Sequence, residues 1–418
     1  MVTPFEYVGP APDPGFARLE VGAWRQFGLV DLHFHPRLTV LTGANASGKT
    51  SLLNLLGRHF NWASQFLGVP PRRGSRMAQW RIDARTESTV ANQIGRLTYT
   101  SGAASSLMTT GGGPTYDVGI PQQQAVPGVF ISSHRSLTGY QQLQHLPAQF
   151  SASAAILDQF IAELRNRYSG GHSNRSPLYQ MKEALVAAAI FGEGSGAVER
   201  NDEAAEIWEG FQRVLRALLP ASMRFIRLRV RAPDALLETQ DGEFLIDAVS
   251  GGVSAIVELA WQIFLRSRQY NAFTVCIDEP ENHLHPSLQR SLIPSLLDAF
   301  PRLSFIVATH SPFIVTAVRD SSVYVLDYEN GAVVSRLLDT VSKAATSDEI
   351  LRRVLGLETT APLWVERTLS QYLDRFPEYY SEGALRRLMD ELRSMGLQEH
   401  FPAAIDALDA RRSYETPE

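Results

Sequence analysis

The chain has 418 residues, enough to bury a large core and to form two or three structural units. Hydrophobic residues make up 44% and charged residues 20%, a balance that describes a soluble globular protein, and no run approaches the roughly eighteen consecutive apolar residues of a membrane span. The net charge of −5 gives no global attraction to nucleic acid, so any such contact needs a local basic patch, and a single cysteine, Cys276, excludes an internal disulfide and a cysteine-based zinc site.

Residues 1–16 are proline-rich, lack the layout of a secretory signal, and are expected to form a flexible lead-in. From Ala17 the alternation Arg18-Leu19-Glu20-Val21 predicts a half-exposed strand. Trp24 and Arg25 then precede a run ending at Phe34; an aromatic and an arginine here could flank a purine ring or cap a sheet edge.

Leu38-Thr39-Val40-Leu41 predicts a buried strand, and Ser51-Leu52-Leu53-Asn54-Leu55-Leu56 the start of a helix. Between them lies Gly43-Ala44-Asn45-Ala46-Ser47-Gly48-Lys49-Thr50, which fits G-x-x-x-x-G-K-[ST]. Such a turn aims backbone N–H groups and a helix N-terminus at one spot, which suits an anion with several oxygens. Gly43 to Ser51 are therefore candidate nucleotide-binding residues, with Lys49 reaching the β- and γ-phosphates and the Thr50 hydroxyl holding Mg²⁺.

Strands are expected over 77–85, 93–100 and 116–120, with Ser101 to Gly113 as a mobile surface loop. Pro127 to Arg135 predicts another buried strand whose polar end, Ser132 to Arg135, faces the phosphates if the sheet is parallel. Ala154 to Tyr168, Leu178 to Phe191 and Asp202 to Leu219 carry helical periodicity, a compact insertion without sustained heptads. Met223 to Arg231 then predicts a strand with Arg227, Arg229 and Arg231 on one face, either solvated or contacting a phosphate backbone.

Four later segments complete a pattern. Ser250-Gly251-Gly252 precedes a helix over 253–268 and offers a second anion site. One nucleotide does not need two cradles from one chain, whereas two chains arranged head to tail do. Phe273 to Ile277 predicts a buried strand ending in Asp278-Glu279, an acidic pair that is costly there without a cation. Asp278 would complete the Mg²⁺ shell, and Glu279 would polarise the water that attacks the γ-phosphate. Pro280 to Pro286 forms a proline-bounded turn in which His283 and His285 lack a third metal ligand, so contact with a partner subunit is expected. Leu303 to Thr309 predicts one more buried strand, ending at His310, a candidate γ-phosphate sensor.

The order G-A-N-A-S-G-K-T, S-G-G, I-D-E-P-E-N-H-L-H-P, A-T-H-S-P resembles the ABC-type ATPases of the SMC/RecF-like and OLD-like group, in its DNA-repair and phage-defence branch. The resemblance covers 17–60 and about 245–328. It implies an α/β P-loop fold whose ATPase head has a mixed or parallel core sheet, a helical insertion and a helical C-terminal extension. Lys49, Thr50, Asp278, Glu279 and His310 would hold and hydrolyse ATP with Mg²⁺, and Ser250-Gly251-Gly252 would act in trans on a second copy. The signature departs from that of membrane transporters at Val249 and Val253, and either Gln122 to Gln124 or Ser132 to Arg135 stands where a Q-loop is sought. The layout expected is a lead-in over 1–16, a first lobe over 17–135, the insertion over 136–222, a second lobe over 223–340 and a helical extension over 341–418. No strand-borne acidic cluster marks a Toprim nuclease in the extension. The expected partners are a second copy, double-stranded DNA, and an effector such as a nuclease or toxin; the expected location is the cytoplasm, without a membrane contact. The rival readings are a transporter's nucleotide-binding subunit, an OLD-like ATPase with a cryptic nuclease, and an ATP-bound scaffold.

Overall fold

The computed structural model describes residues 12–62, 64–70, 92–110, 113–134, 139–195, 198–339 and 346–354, with short pieces between 364 and 405. The chain divides into two compact units, Met1–Gly356 and Leu357–Glu418.

In the first unit, chain order sets down β1 (Phe16–Trp24), β2 (Phe27–His33), β3 (Leu38–Gly43) and α1 (Lys49–Gly57). Next come β4 (Phe66–Leu67), β5 (Gln93–Tyr99), β6 (Ala104–Thr110), β7 (Thr115–Gly119) and β8 (Gly128–Ile131). Helices α2 (Ser153–Tyr168), α3 (Pro177–Glu193) and α4 (Asp202–Leu218) precede a small antiparallel sheet of β9 (Phe225–Arg231), β10 (Asp234–Thr239) and β11 (Gly242–Leu245). The chain returns through α5 (Gly251–Ser267), β12 (Thr274–Asp278), α6 (Pro286–Ala299), β13 (Ser304–Ala308) and α7 (Pro312–Val315). It closes with β14 (Ser322–Glu329), β15 (Ala332–Leu337) and α8 (Ser347–Arg353).

Twelve strands form one sheet in the order β4-β7-β6-β5-β1-β2-β15-β14-β3-β13-β12-β8. The half from β14 to β8 is parallel throughout. Its inner strands β3, β12 and β13 are buried at every position, because helices cover both faces. Alternation along β3 divides its side chains between two cores. Leu38 and Val40 join the helices α2 to α6, while Leu41 joins α1 and the antiparallel limb. The side chains of 154–219 therefore lie in the same core as the parallel sheet, with α4 packed against both α5 and α6.

Two expectations need correction, and one open reading is settled toward its solvated alternative. Ser101 to Gly113 is not a loop across its length, because Ala104–Thr110 is a strand paired with β5 and β7. Its buried positions include Ser105 and Thr109, whose hydroxyls donate to the Gln122 and Asn92 carbonyls, so polar residues occupy a face that hydrophobic patterning cannot detect. Within the lead-in, residues 12–15 are tied down: Gly15 N–H donates to Thr100 Oγ1 and Thr100 N–H to Gly15 O, both at 2.9 Å. Finally, Arg227, Arg229 and Arg231 do line one exposed face, but Glu238 and Glu243 on β10 and β11 pair with all three. That neutralised strip offers little charge to a phosphate backbone.

The strand expected at 77–85, Arg135, and residues 1–11 of the lead-in lie outside the described residues. The hairpin turn at Asn330-Gly331 has both residues at positive φ, 49° and 75°, as an Asn-Gly turn requires. Helix α8 starts with a full capping box between Thr346 and Glu349. In the second unit, Glu382–Ser394 forms a helix (α9) whose Leu388 and Leu392 pack with Val365, Leu397 and Ala404. Much of the helical extension expected over 341–418 falls outside the described residues.

Candidate nucleotide-binding and hydrolytic site

The parallel strands β3, β12 and β13 all end on one edge of the sheet, so the residues that follow them meet there. The glycine-rich turn from Gly43 to Gly48 joins β3 to α1 and is tightly enclosed at its two ends. Gly43 has φ of 139°, and a Cβ there would sit 2.5 Å from the Leu326 carbonyl; Gly48 has φ of 96°, and its Cβ would sit 2.4 Å from the Phe27 ring. Ala44, Asn45 and Ala46 are exposed, Ser47 is buried, and Ser51 follows Lys49 and Thr50 in the first turn of α1. Lys49 Nζ donates to the carbonyls of Gly43 and Ala44, each at 3.0 Å. Burial lowers its pKa to about 8, against the opposing pull of Glu279, Asp278 and Glu281.

Across from the turn, Asp278 is 3% exposed, and both its carboxylate oxygens lie 3.0 Å from the donating Thr50 hydroxyl. Burial pushes its pKa up to about 6, with Glu279 and Glu281 adding to the rise and the Thr50 hydrogen bond opposing it. This buried carboxylate, set against a hydroxyl and, among the described residues, without an ion pair to a basic side chain, fits Mg²⁺, whose shell takes one or two protein oxygens and fills the remainder from phosphate and water.

Glu279 has the left-handed φ of 46°, and its N–H donates to the Ala308 carbonyl at 2.8 Å, which locks the end of β12 onto β13. Its Oε2 accepts from Asn282 Nδ2 at 3.0 Å, and its Oε1 lies 3.7 Å from His310 Nε2. Burial, then the charge of Lys49, lowers the His310 pKa against the opposing pull of Glu279, which favours the neutral ring. Lys49, Thr50, Asp278, Glu279 and His310, far apart in sequence, are thus linked through a single constellation.

Several of its supports escape a reading of the sequence. Glu281 Oε1 accepts from the Thr309 hydroxyl at 2.8 Å and from the His310 N–H at 2.6 Å, fixing the backbone that carries the histidine. Asn282 also donates to the Ser133 carbonyl at 3.2 Å, and the Ser133 hydroxyl bonds to Asp278. Of the two Q-loop candidates, then, Ser132 to His134 reaches the acidic residues, while Gln122 to Gln124 are exposed and precede the opposite end of β8. The turn D-E-P-E-N was visible as a string, but the roles of its last two residues depend on contacts with residues 28 or more positions away.

The remaining candidates separate from this cluster. Arg25 lies over the rings of Trp24 and Phe66, at 5.9 and 5.6 Å. Trp24 is buried, stacks on Phe27 and donates its indole N–H to Tyr116, so it cannot flank a nucleotide base. Gln26 and Tyr328 border the turn instead, both donating to Ala46 O. His285 caps α6, accepting from Ser287 N–H at 3.3 Å, which gives it a structural task. Among the described residues no group of three or more His, Cys, Asp or Glu side chains could hold a metal ion.

Ser250 caps α5, its hydroxyl accepting from Val253 N–H at 3.4 Å, and the residue itself is exposed. A Cβ on Gly252 would lie 3.0 Å from His283 O, so the signature is seated directly on the turn that follows the acidic pair. Behind it, fully buried Lys182 of α3 reaches Asp247, three residues before Ser250, at 2.7 Å and Asp234 of β10 at 3.3 Å.

Residues 147–316 match the family described as "AAA domain, putative AbiEii toxin, Type IV TA system". Among curated proteins, Septu protein PtuA of Bacillus thuringiensis is 27% identical over 166 residues, covering 36% of this chain and 42% of that protein. The Retron Ec83 probable ATPase of Escherichia coli is 31% identical over 187 residues, covering 42% of this chain and 30% of that protein. These likenesses agree with the resemblance to the ABC-type ATPases of the SMC/RecF-like and OLD-like group carried by the sequence motifs. It spans less than half the length of these curated relatives. Among solved structures, the SMC head domain from Thermotoga maritima superposes with a TM-score of 0.41 at 13% identity, covering 78% of this chain and 99% of that one. The strand order and the glycine-rich turn between β3 and α1 give the chain an α/β P-loop layout.

Proposed function

We propose that the chain binds ATP with Mg²⁺ at Gly43 to Ser51 and hydrolyses it. The observation that carries the reading is the convergence of Thr50–Asp278 and Glu279–His310 at the carboxyl ends of adjacent strands. Asp278 and Thr50 would hold the Mg²⁺ ion, which supplies positive charge to the phosphates. Lys49 binds the phosphate oxygens. Glu279, steadied by Asn282, orients the attacking water and takes its proton, and neutral His310 donates a hydrogen bond from its ring toward the transferred group. Two copies associate head to tail around ATP, with Ser250-Gly251-Gly252 of one covering the nucleotide of the other, and separate after hydrolysis. The exposed cap of α5 supports that arrangement, since an anion can approach its N-terminus.

The output of this cycle is a conformational change coupled to DNA or to an effector such as a nuclease or toxin. Relatives bearing Septu and retron names favour antiviral defence over general DNA maintenance. Fuelling by ATP assigns the work to the cytoplasm, and no helix among the described residues is long and apolar enough to cross a membrane.

Phosphate release with and without double-stranded DNA, measured on the wild type and on Glu279→Gln, tests this reading. The variant should keep ATP affinity, lose ~10²–10⁴ in turnover, and accumulate as an ATP-bound dimer in light scattering. Hydrolysis at the wild-type rate by Glu279→Gln would remove the role given to that residue.

A further inference from the structure

Tyr328 begins the exposed end of β14, with 53% of its surface open to solvent. Its hydroxyl donates to Ala46 O at 3.2 Å, and Gln26 Nε2 donates to the same oxygen at 3.4 Å. Ala46 is a phosphate-loop residue held at φ of 63°. The sheet register explains why these groups meet: Tyr328 pairs with Val333, Val333 pairs with Phe27, and the Phe27 ring packs under Gly48. An open aromatic ring and a primary amide therefore share one rim of the loop.

A triphosphate held by backbone N–H groups leaves the base of the nucleotide outside the loop. A purine has two apolar faces, and aromatic side chains stack on such faces in a way that tolerates differences between bases. Trp24 is buried beneath Phe66 and Phe27 and cannot serve. We propose that Tyr328 and Gln26 form the base-side wall of the nucleotide site, the phenol ring stacking on the purine and the amide facing its polar edge. The inference rests on the ATP site described above.

Calorimetric titration of the full chain with ATP and with inorganic tripolyphosphate, which has no base, tests it. Tyr328→Ala should weaken ATP about 10- to 100-fold and leave tripolyphosphate unchanged. Tyr328→Phe keeps the ring and removes the bond to Ala46, and should hold ATP within about threefold of the wild type. Equal weakening of both ligands in Tyr328→Ala would overturn the proposal, because the residue would then serve the loop rather than the base. So would unchanged ATP affinity in Tyr328→Ala, or a loss in Tyr328→Phe as large as in Tyr328→Ala. Failure of the ATP site itself reads differently: Lys49→Ala would then leave the binding of both ligands unaltered.

Discussion

The acidic edge of the site and the signature are supported in opposite ways. At the acidic edge, the functional side chains are tied to one another: Thr50 to Asp278, Asn282 to Glu279, and Glu281 to the backbone of His310. At the signature, Ser250 bonds within its own helix, and the stabilising contacts lie behind it, in the buried Lys182–Asp247–Asp234 cluster and in the packing of Gly252 on His283. The first arrangement holds the side chains proposed to react in register within one chain. The second presents a rigid face outward, as a surface that must meet another copy would require.

That contrast can be broken from behind the signature first. Lys182→Met should cost about 3–5 kcal/mol of stability, because it leaves Asp234 and Asp247 together without a cation; chemical denaturation measures the loss. Replacing Lys182 and Asp247 together by Met and Leu should recover much of it.

Next in size is the signature itself. Ser250→Arg should lower turnover on the order of 10²-fold while leaving ATP affinity unchanged. Mixing it with Lys49→Ala should restore part of the phosphate release, because each mixed dimer contains one intact composite site. No recovery on mixing would show that the signature does not act in trans.

Asp278→Asn sharpens the other side. Burial raises the Asp278 pKa to about 6 from 3.8, so the folded chain holds this proton more tightly than the unfolded one. Stability attributable to this group therefore falls as pH rises from about 4 to 6. The Asn variant should be more stable by ~1–3 kcal/mol at pH 8, with the advantage shrinking toward pH 4, while losing Mg²⁺-dependent ATP binding. Thermal melts across that range check the trend. The smallest effect belongs to the arginine strip: Arg229→Ala should change stability by less than about 0.5 kcal/mol, since its ion pairs are solvent-exposed, and DNA binding, where it is detected, should be unaltered.

What the sequence reveals follows the same physical division. Strands β3, β12 and β13 are legible because their runs are apolar and end abruptly in polar residues, and the phosphate loop is legible because its glycines must be where they are. The antiparallel limb is less so. Strand β6 buries Ser105 and Thr109, whose hydroxyls find carbonyl partners, and no pattern of hydrophobicity reports such a face. Trp24 is ambiguous in sequence, because a ring before a glycine-rich loop looks the same whether Phe66 and Phe27 cover it or a ligand does. Glu281 sits within a recognisable string, yet its task is set by Thr309 and His310 across the strand edge.

The buried trio behind the signature also constrains how this protein can change over generations. Losing Lys182 strands two acids, and losing Asp247 leaves a fully buried cation with the more peripheral Asp234, the Gln141 carbonyl and the face of the Tyr140 ring. A single substitution at either position is thus a step into a valley, and only paired replacements cross it. Three positions separated by as many as 65 residues should behave in inheritance as one character, binding the history of helix α3 to that of the signature it stands behind.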